Sequence, residues 1–285
     1  MVILQKTPLL AVLIMGMALF ACSKKKQPVV EETAHLPSVS AREPEEITLA
    51  WQDLLNLVLY QAELPVEIMQ NFEAITENSP FMRELSAILS GDPYLRLLVD
   101  KQHALPTAYE PDDLVELSSN NVYRVSRQGL MLRKSAADAL QVMAEAATLD
   151  KVTLVISSTY RSYHYQAQIY ARNVREMGEA AADRESARPG HSQHQSGLVV
   201  DFGSIDDSFA LTNAGKWMQA HASRFGWSLS FPDGYEAVTG YRWESWHYRY
   251  VGIDLCRFID TYFAGIQQYA LRFIYEWELL NAKIP

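Results

Sequence analysis

The chain has 285 residues, 48% of them hydrophobic, enough for one substantial domain with a smaller piece beside it. Its 25 basic against 34 acidic side chains give a formal net charge of −9, and Lys24-Lys25-Lys26 is the one prominent basic run, so nucleic acid is excluded as a partner. Two cysteines, Cys22 and Cys256, are too few for a disulfide framework.

Residues 1–22 read as a targeting segment. Lys6 supplies a positive start, and the apolar run Leu9 to Phe20 is shorter than the roughly 20 residues a plain membrane anchor needs. Leu19-Phe20-Ala21-Cys22 resembles a bacterial lipobox, in which Cys22 is acylated and becomes the mature N-terminus. Residues 23–46 carry Pro28, Pro37 and Pro44 among charged residues, with too little apolar content for a core, and read as a flexible tether.

Helical spacing begins at Ile47. Leu54, Leu55, Val58 and Leu59 form one stripe, and Pro65 opens a second segment with Ile68, Phe72 and Ile75. Residues 47–90 are thus expected to form an N-terminal helical segment. Asp92 to Leu117 follows, with His103 read as a loop histidine. A helix is expected over Ser135 to Leu149, opened by the capping box Ser135-Ala136-Ala137-Asp138 and burying Leu140, Met143 and Ala147. Lys151 to Ser157 alternates as a strand.

A helix then leaves Tyr160-Arg161-Ser162 and carries Gln166 and Ile169, and Gly178 to Arg188 reads as a loop. Leu198 to Phe202 is a short buried strand, and Thr212 to Phe225 a helix closed by Gly226, with His221 at its boundary. Trp227 to Phe231 and Tyr241 to Trp246 read as two further strands. The tail, residues 253–285, presents Phe258, Tyr262, Ile266, Tyr269, Phe273 and Trp277 at helical steps, a stripe suited to packing on the N-terminal helices. Cys256 is read there as a small buried hydrophobe.

The chemistry concentrates in Pro189 to Asp201, PGHSQHQSGLVVD. It holds His191 and His194, and Asp201 ends the apolar run that follows. Imidazole and carboxylate are zinc ligands, and His247 in Glu244-Ser245-Trp246-His247 offers the third. A His₂Asp set leaves one position for water, with Glu244 free to act on that water. No thiolate is at hand, which favours Zn²⁺ over iron or copper. Gly197 would let the chain turn between the first two ligands.

Three segments, SSTYRSYHYQ (157–166), GHSQHQSGLVVDF (190–202) and GYRWESWHYRYVG (240–252), resemble zinc D-alanyl-D-alanine carboxypeptidases of the VanY type, within the superfamily that also holds lysostaphin-like and hedgehog-like domains. They fall in that family's order, across residues 91–252. The resemblance implies an α+β fold, a small, largely antiparallel sheet with flanking helices and the metal in an open cleft. It implies His194, Asp201 and His247 as metal ligands and Glu244 as the catalytic acid–base. Arg161 would steady the carbonyl or the substrate carboxylate, with Ser192 and Gln166 helping to hold that carboxylate. His191 becomes a pocket-wall residue, and Trp246 and Tyr248 would shape the pocket floor. The sequence departs from the pattern at Gln193, where an acid is frequent, at Ser245 in place of proline, and at Ser158-Thr159 before Tyr160.

The implied activity is release of the terminal D-alanine from peptidoglycan stem peptides. The implied place is the bacterial cell envelope, lipid-held at Cys22, with the catalytic domain extracytoplasmic. Competing readings are an L,D-carboxypeptidase on tetrapeptide stems, an endopeptidase on cross-links, and a non-catalytic wall-binding lipoprotein with a structural zinc. Glu244 separates the last from the rest, because a structural site needs no free carboxylate beside the water position.

Overall fold

The structure, a computed structural model, describes residues 51–282. The expected signal segment, Cys22 and the tether lie outside the described residues. Among those described, no helix is long and apolar enough to cross a membrane.

Two hydrophobic cores organise the described chain. Helices α1 (Trp51–Gln61), α2 (Val66–Met69) and α3 (Pro80–Ser90) come from its N-terminal side, and α9 (Ile253–Tyr262) and α10 (Gln267–Asn281) from its C-terminal side. Together they bury one cluster centred on Leu55, Phe72, Phe81, Phe258, Phe263 and Phe273. The tail stripe therefore packs on the N-terminal helices, as its spacing suggests. It does so as two helices rather than one, because Ala264 (φ 52°) and Gly265 (φ 76°) reverse the chain between α9 and α10. Helix α3 starts on a proline behind Ser79, whose hydroxyl accepts the Met82 N–H at 3.4 Å, a sound N-terminal cap.

The second core lies against a five-stranded sheet. Its strands are β2 (Tyr123–Val125), β4 (Leu154–Ser158), β5 (Val199–Phe202), β6 (Trp227–Leu229) and β7 (His247–Tyr250), in the order β2-β4-β5-β7-β6. β2 and β4 run parallel and every other pair antiparallel, which agrees with the expected largely antiparallel sheet. β1 (Leu114–Glu116) and β3 (Met131–Arg133) form a separate antiparallel pair. Helix α4 (Lys134–Leu149) packs Leu140, Met143 and Ala147 into the same core as Leu154, Ile156, Val200 and Phe202. Helices α5 (Tyr163–Met177), α6 (Glu179–Glu185), α7 (Asn213–His221) and α8 (Glu236–Thr239) complete the fold.

Several local expectations need correction. α4 starts at Lys134, with Arg133 as its cap and no side-chain cap bond, so the box at Ser135 does not form. β3 runs straight into the helix and leaves no residue for a capping turn. The expected loop over Gly178 to Arg188 contains α6: Gly178 (φ 83°) breaks α5, and the alanine run restarts a helix that buries Ala182. The strand expected over Tyr241 to Trp246 is irregular chain, and pairing begins at His247. The helix over Thr212 to Phe225 is α7 followed by a tighter turn, Ala222–Phe225.

Candidate active site

Asp201 sits at the centre of the sheet, opposite Ser158 of β4 on one side and His247 of β7 on the other. Strand alternation sends Val200 and Phe202 into the core and leaves Asp201 on the other face. The same alternation turns Tyr248 into the core beside Phe202, ring centroids 6.0 Å apart, so Tyr248 is not part of a pocket floor. His194 lies in the turn Gln193–Ser196, which Gly197 ends at φ 73°. A Cβ at Gly197 would stand 2.9 Å from Arg133 Cγ, so both the conformation and the space require glycine.

His194, Asp201 and His247 converge, with one ligand atom from each lying within 4.8 Å of the others. The His194 Nδ1–H donates to the Thr159 carbonyl at 2.7 Å. That bond fixes the tautomer and turns the Nε2 lone pair to Asp201 Oδ2, 3.2 Å away. His247 Nδ1 stands 3.1 Å from Asp201 Oδ1 and 3.3 Å from Glu244 Oε2.

These residues fit a divalent cation. Nε2 of His194 and Oδ1 of Asp201 are buried without a hydrogen-bond partner, a state native proteins rarely tolerate, and His247 turns its Nδ1 toward the same Asp201 oxygen. Burial alone would raise the Asp201 carboxyl, but His194 and His247 hold it well below the usual carboxylate range. Burial alone would lower His247; bonds to Asp201 and Glu244 instead push it up to about 9. His194 is pushed down to about 4 by burial and by the Arg161 charge. Two carboxylates around an imidazole thus demand positive charge at one spot, and a His₂Asp set is a donor set for zinc.

Glu244 is placed by the turn that precedes β7: its carbonyl accepts the His247 N–H at 3.2 Å, and its own N–H donates to Phe231 at 3.0 Å. The Glu-x-x-His offset is therefore met by a turn, which puts both side chains on one side. Arg161 bonds Asp201 Oδ2 at 3.2 Å and Gln166 Oε1 at 3.0 Å. Gln166 is fully buried, and its amide donates to the Ala187 carbonyl at 2.7 Å and to Ser186 at 3.3 Å. Its polar atoms are spent on the protein, so it holds Arg161 and the 186–187 segment rather than facing open space.

A cleft of about 370 Å³ opens beside the cluster, lined by Arg161, Ser192, His194, Glu244 and His247 among others. Ser192 and His191 both face it, and the His191 Nδ1–H donates to the Asp100 carbonyl at 2.7 Å. His103 bonds the Asp100 carboxylate at 2.8 Å, away from this cleft, and His221 lies against Trp217.

Comparison with known proteins agrees with this geometry. Residues 129–253 match the VanY family, D-alanyl-D-alanine carboxypeptidase. YodJ of Bacillus subtilis (strain 168) is 38% identical over 178 residues, which cover 60% of this chain and 65% of YodJ. Among solved structures, the LD-carboxypeptidase LdcB is 36% identical, with TM-score 0.52, covering 59% of this chain and 85% of LdcB. A vancomycin resistance D,D-pentapeptidase VanY variant, solved in complex with Zn(II), is 30% identical at TM-score 0.51, covering 61% of this chain and 96% of its own. This chain belongs to the VanY family. It spans 65% of its first curated relative, which extends beyond the shared part, and most of the two solved chains, 85% and 96%.

Sequence reasoning missed part of this family site. Phe231 packs on His247 with ring centroids 4.6 Å apart, and on Tyr241 at 4.7 Å. Lys101 Nζ sits 3.6 Å over the Tyr241 ring. Glu185 and Ser186 line the cleft from the end of α6. Tyr241 belongs to the matched GYRWESWHYRYVG segment and could have been singled out there. Lys101 and Phe231 carry no signal in the sequence, because only the fold brings them beside the motifs.

Proposed function

We propose that this chain is a zinc metallocarboxypeptidase that removes the terminal D-alanine of peptidoglycan stem peptides. The observation that carries the reading is the buried His194–Asp201–His247 cluster with Glu244 beside it, 3.3 Å from His247. Zinc held by those three residues would lower the pKa of a water to roughly 7 and polarise the scissile carbonyl. Glu244 takes the proton of the attacking water and delivers it to the leaving amine, help typically worth ~10²–10⁴-fold. Arg161, steadied by Gln166, presents its guanidinium to the carbonyl or to the terminal carboxylate, with Ser192 as a further donor. Phe231 and Tyr241 line the cleft, whose small size suits one small terminal residue.

An L,D-carboxypeptidase acting on tetrapeptide stems is the second reading, favoured by the likeness to LdcB. The full chain incubated with defined pentapeptide and tetrapeptide stems, with and without chelator, separates the two. D-alanine release from the pentapeptide alone supports the first reading, and release from the tetrapeptide alone supports the second. Binding without release from either points to a non-catalytic wall-binding protein.

The proposed setting is the extracytoplasmic face of a bacterial membrane, held by lipid on Cys22 in the Leu19-Phe20-Ala21-Cys22 motif. A Cys22→Ala variant that stays membrane-associated in cell fractionation contradicts this placement.

A further inference from the structure

A second and larger opening leaves the same residues in another direction. Its empty space is about 970 Å³, and it shares Arg161, Glu185, Ser186 and Glu244 with the small cleft. From there it continues along Arg127, Arg172 and Arg242. Two of its arginines are committed. Arg161 is held by Asp201 and Gln166, and Arg242 by Glu185 at 2.6 Å and Asp207 at 2.7 Å.

Arg127 and Arg172 are different: both line the groove, both are exposed, and neither guanidinium has a hydrogen-bond or ion-pair partner among the described residues. In a chain of net charge −9, with acidic partners available in excess, uncommitted guanidiniums on one groove mark a place for an anion. A planar guanidinium suits a carboxylate through two parallel bonds. The substrate's direction follows from the two openings. The small cleft, lined by Phe231 and Tyr241, is the lesser of the two openings; with a terminal residue seated there, the larger groove is left for the chain preceding the scissile bond.

We infer that the groove carrying Arg127 and Arg172 binds a free carboxylate on the residues preceding the scissile bond, which makes the enzyme selective for acidic rather than amidated stem peptides. The inference rests on the carboxypeptidase reading for its substrate, and its test separates the two. Two stems are prepared that differ only in whether the carboxylates before the scissile bond are free or amidated. Hydrolysis is measured with the full chain, and binding with the Glu244→Gln variant. The free acid is expected to be preferred about tenfold, through KM and through binding. In an Arg127→Gln/Arg172→Gln variant that ratio is expected to fall close to one, with metal content and thermal stability kept.

Equal hydrolysis and equal binding of the two stems by the parent overturn the inference. So does an acid-to-amide ratio unchanged in the double variant. Binding that prefers the acid, with no hydrolysis of either stem, supports the groove assignment and overturns the carboxypeptidase reading instead.

Discussion

The two cores of this protein are built on opposite terms. The helical one, shared by α1, α3, α9 and α10, is closed by aromatic rings: Phe81 meets Phe72 at 5.2 Å, Phe258 at 5.1 Å and Tyr262 at 4.9 Å. The sheet half buries polar atoms instead, among them two imidazoles, a carboxylate and Gln166. Unpartnered polar groups cost stability when buried, so the site is a place where the fold is weakened for chemistry. Among the described residues, none of these unpartnered buried atoms belongs to the helical half, which lies outside the part matched to the VanY family on both sides. The difference teaches that stability and reactivity can be assigned to different parts of the chain, its two flanks and its middle, and tested separately.

The largest effect is expected at Glu244. Glu244→Gln should lower turnover by ~10²–10⁴-fold while keeping metal content and melting temperature. Stopped assays on a defined stem, with metal analysis of the same sample, check it. The converse change is Phe81→Ala in the helical core, expected to cost about 3–5 kcal/mol of stability. Denaturant melts should show that loss, and kcat/KM of the protein that remains folded should match the parent. A Phe81 variant that is fully stable, or folded but inactive, breaks the division between the halves.

The join between the halves can be tested as well. At the start of α10, Gln267 is buried and lies 3.5 Å from the Gln193 amide, next in sequence to His194, while donating to the Ser228 carbonyl at 3.3 Å. Ser230 donates to Gln193 Oε1 at 2.7 Å and completes this neutral network. Gln193 stands where the resembling family often has an acid, and here its partners are amides and a hydroxyl. Gln267→Leu leaves these partners unpaired and should cost about 1–3 kcal/mol. It should also raise KM several-fold by loosening the His191–Gln193 wall. In Gln193→Leu/Gln267→Leu, which also takes the acceptor from the Ser230 hydroxyl, stability should recover only in part while KM stays raised, an outcome a merely structural role would not give.

The smallest effect is acid sensitivity at Asp100. Burial opposes its ionisation, yet N–H bonds from Gln102 and His103 and the His103 ring hold its carboxyl below the usual carboxylate range. Gln268 of α10 donates to the same carboxylate at 2.6 Å. A lowered carboxyl contributes stability above its unfolded pKa that is lost as pH falls through the folded one. Melting temperature should therefore fall as the pH drops below about 4, and more steeply in the parent than in Asp100→Asn.

Much of the site was legible in the sequence because its chemistry is local. His194 and Asp201 share one segment, Glu244 and His247 another, and each segment carries its own turn or strand. The order of strands, the pairing of Asp201 with His247, and the arrival of Lys101 and Phe231 at the cleft depend on contacts between distant segments, which no local pattern encodes. The errors have the same origin. Ser135 has the composition of a cap, but β3 leaves it inside the helix, and α6 looked like loop because short alanine-rich segments carry little periodicity. The aromatic stripe of the tail read correctly as a packing face, whereas its break at Ala264-Gly265 left no mark in the spacing.

The central claim is that three buried side chains hold one divalent ion on which turnover depends. The direct measurement follows D-alanine release from a defined stem by the full chain while bound metal is stripped with chelator and zinc is added back. The account predicts one ion per chain, activity lost in step with its removal and restored by zinc in the parent but not in His194→Ala. Purified chain that turns over the stem without stoichiometric metal, at a rate chelation does not change, contradicts it.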